Sequence, residues 1–372
     1  LTIKQDLLVG ESLTIFGSRV LGDSSQKPTF QVALDGTVSV REDLILTGGT
    51  DMIDIEGIND VFVYDTTKDQ DGGAWTNDSN AKATSWYNEQ IDATAKGCDL
   101  INHDRCGSRA FPQKAVLVVT DVNVFIFDAK DNTLWMKFNE EATNAFLDAV
   151  ARDNFAVHAL NGTIYVGRYN GGLVRINYID DKLQVLDHGF IYTFNHSFQE
   201  RNTHAGMTAG TDKYKLIAST INDVHAQVID GKTYVAVATD GGVSIINETD
   251  ETVVDMRRAG STPVGRAVWI TSKGELYVHE DTSENDDNTI HVFYDIPNAD
   301  FEVTGSARNK WYNADSGSVP SFAGVDKDID ISELFVTEGT SFVDGISNTV
   351  YVAAGEGLTK LSEKQGDESN GA

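Results

Sequence analysis

The chain has 372 residues, with Lys plus Arg at 29 against Asp plus Glu at 57, a formal net charge of −28. So acidic a surface repels phosphate backbones and anionic bilayers, which excludes electrostatic capture of nucleic acid and counts against membrane association. A hydrophobic fraction of 40% supports a real core, and 33 glycines against 5 prolines fit a turn-rich β protein.

In chain order, residues 1–58 read as short alternating strands broken by glycine: DLLVGESLTIFG, a hairpin FQVALDGTVSVRED turning at Asp35-Gly36, and DLILTGGTDMIDIEG. Few large side chains occur there, and a lone domain of that size is marginal. The reading is a β-rich stem or attachment segment that intertwines with other copies in a homotrimer. Residues 59–113 hold the strand VFVYD and then a long polar loop containing Trp75, Trp86 and Tyr87. Aromatic side chains in polar loops are candidate contacts with a receptor, or anchors of the loop on its own domain.

From residue 114 onward, sheet follows sheet. KAVLVVTDVNVFIFDAKDNTLWMKF reads as three strands with turns at Asp121 and Asp131. Residues 140–153 have a helical apolar face. The phrase TIYVGRYNGGLVRIN then returns as TYVAVATDGGVSIIN and TVYVAAGEGLTKLS. Each version has an apolar strand with a Tyr (Tyr165, Tyr234, Tyr351), a turn and a second strand, and Tyr277 marks a fourth unit. Tight turns precede them at Asn161-Gly162, Asp230-Gly231, Lys273-Gly274 and Ser347-Asn348. Repetition at roughly 40 to 50 residues is the signature of β-propeller blades, buried inside and polar at the outer strand. The phrase is expected to be the inner hairpin of each blade, and about five blades are visible in residues 114–372. Insertions are expected in RNTHAGMTAGTDKYK and in residues 298–330, where Trp311 and Tyr312 are further loop aromatics. A ring commonly has more blades. Because the chain starts at Leu1 and stops just after a repeat phrase, it reads as truncated at the C-terminus, a piece of a longer protein. No apolar run reaches the roughly 18 residues of a membrane helix, and no signal peptide is visible.

The chemistry-bearing motifs are few. There is no nucleophile elbow, P-loop, HExxH or dinucleotide fingerprint, so no catalytic residue is named. His196, Glu200, Arg201 and His204 lie near one another in FNHSFQERNTH, either as a group for acid/base work on a sugar or as an ordinary polar loop. Asp69 and Asp71, Asp286 and Asp287, and Asp326, Asp328 and Asp330 are acidic loop clusters that could supply oxygens to calcium, the one cofactor left open. Cys98 and Cys106 are a disulfide, two free thiols, or with His103 part of a metal site.

VFVYDTTKDQDGGAW, TSWYNE, and GSRAFP before a valine-rich strand resemble a segment of predicted virion proteins of marine tailed phages, especially cyanophages. GTIYVG with GGLVRIN is similar too, so the resemblance covers roughly residues 58–365, and residues 1–58 look like the glycine-punctuated repeats of trimeric tail fibres. CDLINHDRC departs from the pattern as an inserted loop. The resemblance implies a structural virion component. The expected function is a tail fibre or fibre-like appendage, homotrimeric, touching other virion proteins and a host surface glycan or protein, with no nucleic acid and no membrane insertion. Trp75, Trp86, Tyr87, Trp311 and Tyr312 would be its receptor contacts. The rivals are a tail nozzle, adaptor or capsid-vertex protein, a propeller glycosidase or lyase acting on surface polysaccharide, and a secreted bacterial adhesin.

Overall fold

A computed structural model describes residues 31–32, 38–39, 43–48, 51–91, 105, 107–139, 154–202, 204, 206–211, 214–258, 263–282, 289–303, 310–313, 331–338, 346–354 and 357–364. Two hairpins come first, β1 (Gln31–Val32) with β2 (Val38–Ser39) and β3 (Asp43–Gly48) with β4 (Asp51–Glu56). Five sheets follow. The first is β5 (Ile58–Asp65), β6 (Lys114–Thr120), β7 (Asn123–Asp128) and β8 (Thr133–Asn139), with short 3₁₀ turns and the helical turn α1 (Ser85–Asn88) between β5 and β6. The second runs through β9 (Asn154–Leu160), β10 (Thr163–Arg168), β11 (Gly172–Asn177), β12 (Lys182–Leu186), β13 (Phe190–Phe194) and β14 (Met207–Thr211). The third is β15 (Ile221–Ile229), β16 (Lys232–Thr239), β17 (Gly242–Asn247) and β18 (Thr252–Arg258). The fourth begins with β19 (Pro263–Ile270), β20 (Leu276–Thr282) and β21 (Thr289–Phe293). The chain then returns to the third sheet as β22 (Phe301–Val303), parallel to β18, before β23 (Lys310–Asn313) completes the fourth. The fifth is β24 (Ile331–Glu338), β25 (Ile346–Ala354) and β26 (Gly357–Lys364).

The innermost strands β5, β9, β15, β19 and β24 pack on one another in that order, a five-bladed β-propeller arrangement of antiparallel sheets. Burial explains it. β10 is buried at every position and β16 at most, so each sheet must be covered on both faces. Separate apolar cores fill the four spaces between successive blades; Val235 and Val237 face one, and Ala236 and Ala238 face the next. Ile55 of β4 packs instead on the other face of the first sheet, against Val118, Phe125, Phe127 and Leu134. At Asn161-Gly162 both residues have positive φ, 49° and 72°, and at Asp230-Gly231 49° and 77°, the tight hairpin geometry that the Asn-Gly and Asp-Gly pairs imply.

Four expectations change. The repeated phrase forms the second and third strands of its blade, because a further strand lies inside it: TYVAVATDGGVSIIN is β16 and β17, and β15 is innermost. The boundary at residues 113/114 falls inside a sheet, because Asp65 of β5 pairs with Lys114 of β6. Ser347 and Asn348 lie within β25, at a register irregularity, instead of forming a turn. The segments expected as loop insertions contribute strands, β14 to the second sheet and β22 and β23 to the third and fourth. The helix expected over 140–153 lies outside the described residues.

Candidate functional site

All five innermost strands carry a register irregularity near their start, leaving Asn59, Phe155, Asn222, Arg266 and Ser332 as the extra residues. Three positions beyond each lies an aromatic ring, and the rings touch from blade to blade. Phe62 lies 4.2 Å from His158, His158 4.5 Å from His225, His225 3.9 Å from Trp269, and Trp269 4.7 Å from Phe335. The histidines also clamp the backbone: His158 Nδ1 accepts from Ala226 N–H and His225 Nδ1 from Ile270 N–H, each at 3.3 Å and each on the following blade. Accepting at Nδ1 puts the ring proton on Nε2. Burial holds both rings neutral, His158 down at about 3 and His225 well below its ordinary value.

Immediately after the irregularity sit Asp60 and Asp223. Asp60 accepts from Val61 N–H and, across to the second blade, from Val157 N–H, both at 2.7 Å. Asp223 does the same with Val224 and with Val268 of the fourth blade, both at 2.7 Å. Burial pushes Asp60 up to about 6 and Asp223 up to about 7, the second helped by the charge of the first. Two carboxyls in this range have the acid strength of acid/base catalysts. Yet every one of their oxygens takes a main-chain amide proton, so their geometry is that of clamps between blades.

At one face of the propeller, the first two blades are covered by residues 66–91, centred on Asp69. Its Oδ2 accepts from the Tyr64 hydroxyl at 2.6 Å and the Trp75 indole at 2.8 Å, and its Oδ1 from Asn161 N–H at 2.8 Å. Gly162 N–H donates to the Tyr64 oxygen at 2.8 Å, so the inner turn of the second blade is held by the first. Gln70 reaches on to Gly231 O at 3.1 Å, in the matching turn of the third blade. Gly73 permits the fold of this segment: its φ is +80°, and a Cβ would stand 2.8 Å from Thr66 Oγ1. Trp86 is fully buried, its indole donating to Tyr178 O at 2.8 Å. Arg109 bonds the Tyr87 and Glu89 carbonyls, and Phe111 sits among Trp75, Trp135 and Tyr178 at 5.1, 4.8 and 4.9 Å.

The same face carries the loop 195–206 between β13 and β14. Phe198 N–H and Gln199 Nε2 donate to Ser85 Oγ and O at 3.0 and 2.7 Å. Arg201, 1% exposed, is locked by Glu89, Phe198 O and Lys137 O. His196, Glu200 and His204 turn toward one another, with donor atoms within 4.8 Å.

The sequence-named residues divide accordingly. Trp75 and Trp86 are 5% and 0% exposed, and burial removes them as surface contacts. Tyr87 is half-buried, edge-on to Trp86 at 5.8 Å. Trp311 and Tyr312 belong to the paired strand β23, opposite His291 and Ile290, so the loop expected there is a strand. Asp69 and Asp71 spend their oxygens on protein donors, Asp71 on Gly73 N–H and Trp75 N–H, so loop closure accounts for them better than calcium does. Asp286, Asp287, Asp326, Asp328, Asp330, Cys98, His103 and Cys106 lie outside the described residues. Arg201 is separated from the acid/base group proposed for it by burial. Among the described residues, the large aromatics that do reach solvent are Tyr169, 48% exposed beside Phe155, and Phe190, 52% exposed beside Tyr192. Tyr169 could have been found from its place just before the turn Asn170-Gly171, where a side chain leaves the sheet.

No family model and no curated protein matches the chain. Among solved structures it is similar to Kuenenia stuttgartiensis hydrazine synthase, at 13% identity over 69% of this chain and TM-score 0.34; it spans 64% of that chain. It is likewise similar to the RRP9 WD40 repeats, at 8% identity over 67% of this chain and 77% of that one, TM-score 0.34. Kluyvelomyces marxianus Hsv2 shares 11% identity over 87% of both chains, TM-score 0.34. Likenesses this distant carry no argument about what this chain does.

Proposed function

We propose that the chain is a structural virion protein of a tailed phage, a tail fibre or fibre-like appendage whose propeller head holds contact residues toward a host surface glycan or protein. The observation that carries the reading is the resemblance of VFVYDTTKD, DGGAW, TSWYNE and GSRAFP to predicted virion proteins. The way these phrases fold supports a scaffold role for them: Tyr64, Asp69, Trp75, Trp86, Arg109 and Phe111 join in one bonded cap over the first two blades. Adhesion then falls to other residues, and the exposed rings of Tyr169 and Phe190 are the best suited. In a homotrimer with residues 1–58 as stem, three heads would multiply weak contacts through effective concentration.

The test is the native mass of the full chain and of a chain lacking residues 1–58, followed by binding to cyanobacterial cells. The expected result is a trimer that binds cells and becomes monomeric on the deletion. A monomer in both cases overturns the stem. A trimer that ignores host cells but is detected by antibody in purified virions shifts the reading to a nozzle, adaptor or vertex protein.

A further inference from the structure

We propose that His196, Glu200 and His204 bind a divalent transition-metal ion, zinc by preference, with one coordination position left to solvent. The site stands apart from the virion reading and does not depend on it.

Glu200 Oε1 lies 3.7 Å from His196 Nδ1 and 3.7 Å from His204 Nδ1. That is too long for a hydrogen bond. It is close to the edge of a zinc tetrahedron: bonds of about 2.0 to 2.1 Å put neighbouring ligand atoms about 3.4 Å apart. The three ligand atoms all lie within 4.8 Å of one another, so the two rings would draw together by up to about 1.4 Å to complete the tetrahedral face. The imidazole centroids are 4.8 Å apart, so the rings flank the carboxylate without stacking face to face.

The surroundings hold each ligand. Glu200 Oε2 accepts from Ser197 N–H at 3.0 Å and Ser197 Oγ at 2.9 Å, a capping box that points Oε1 at the histidines. His204 N–H donates to Glu200 O at 3.0 Å, which sets its ring one turn above the carboxylate. The loop is closed at its base by Asn195 N–H to Gly206 O at 3.0 Å. Gly206 has φ +148°, and a Cβ there would meet His196 Nε2 at 3.3 Å, so glycine leaves that ring its room.

Two imidazole nitrogens and one carboxylate oxygen suit zinc and its neighbours in the first row, whereas calcium takes oxygen almost throughout. Three protein ligands with a fourth position open are the pattern of zinc sites that bind an exchangeable ligand. The side chains of His196, Glu200 and His204 are 31%, 39% and 49% exposed, so water or an external oxygen donor has access. The chain's net charge of −28 raises the local concentration of cations. Because Phe198 and Gln199 bond Ser85, a bound ion would brace the loop against the cap built on Asp69.

The experiment uses the full chain, stripped with chelator and titrated with cobalt(II), read by visible absorption, and with zinc in competition with a chromophoric chelator. The expected result is the intense spectrum of tetrahedral cobalt, displaced by stoichiometric zinc. H204A removes an exposed ring and E200Q retains an acceptor for Ser197, so both are expected to melt like the metal-free parent. Each should weaken zinc by at least the roughly 100-fold that losing an outer-shell partner can cost. Absence of the tetrahedral spectrum, or parental zinc affinity in both variants, overturns the site.

Discussion

Replacing Asp69 with Ala tests whether the cap is one cooperative unit. The carboxylate is 6% exposed and takes three donors: Tyr64 O–H, Trp75 Nε1–H and Asn161 N–H. Tyr64 and Trp75 are themselves 2% and 5% exposed, so water does not replace the lost acceptor. Two orphaned buried donors cost about 2 to 6 kcal/mol, since each is worth about 1 to 3. Asn161 is half-buried and its amide adds little. Part of the loss is returned because Asp69 no longer pays for burying its own charge, the main cause that raises its carboxyl above the usual value. The net expectation is destabilisation by about 2 to 4 kcal/mol, read as a lower denaturant midpoint at unchanged slope. Hydrogen exchange at Asn161 and Gly162 should accelerate with it. A cycle with Tyr64→Phe should show coupling, because both substitutions break the same bond. The pH dependence has a definite sign: a folded-state carboxyl above its unfolded value gives stability that is full at low pH and is lost as pH rises through the folded value. Asp69→Asn should remove that slope. A change within about 0.5 kcal/mol for Asp69→Ala, the range of ordinary surface substitutions, would refute the hub, and so would strict additivity with Tyr64→Phe.

Trp86→Ala should cost about 3 to 5 kcal/mol, the range for emptying a buried Trp site, and denaturation monitored by circular dichroism checks it. Asp60 and Asp223, raised to about 6 and about 7, should make the fold lose stability, on the order of a few kcal/mol, as pH climbs from near 4 through 7. Asp223→Asn should flatten that limb of a melting-temperature profile; an unchanged slope would place the effect in general charge repulsion. Tyr169→Ala and Phe190→Ala should weaken cell binding while leaving thermal melting within a degree or two, and full binding by the double variant would remove these rings from the contact surface.

Much of the propeller was legible because its hairpins announce themselves twice, by continuous apolar strands and by Asn-Gly or Asp-Gly turns. β10 and β16 with their turns show both signals, and each is a strand followed by a tight turn as expected. The phrase was nonetheless placed one strand too far inward. Innermost strands such as β9 and β15 carry His158, His225, Asp223 and Gln227, which read as polar. His158, His225 and Asp223 spend that polarity on amides of the next blade and Gln227 on Val228 N–H of its own strand, and a single sequence does not show which amide will stand opposite. The cap failed to show for a related reason. DTTKDQDGGAWTNDSN is hydrophilic overall, but its acids fold back on its own amides and indole, so the segment buries Trp75 while looking like a solvated loop. His196, Glu200 and His204 were visible as neighbours at intervals of four residues. Their convergence required the turn that Ser197 caps.

The inner strands also explain why the blades look less alike in sequence than they are in structure. INDV occurs at Ile58 and again at Ile221, and VHA at Val157 and again at Val224, so the third blade shares one half of a pattern with the first and the other half with the second. The residue after the irregularity is Asp60, Ala156, Asp223, Ala267 and Glu333 in turn, an alternation of acid and alanine. Asp60 and Asp223 already feel each other across the second blade, which contributes to the rise of the latter. A carboxylate at position 156 would stand between them and add a second like charge to a site where desolvation is the larger cost. Alanine there leaves Asp60 free to reach Val157, and His158 takes over the clamp to the third blade. The repeat is therefore preserved as a set of backbone bonds between blades and divided among different side chains to keep like charges apart.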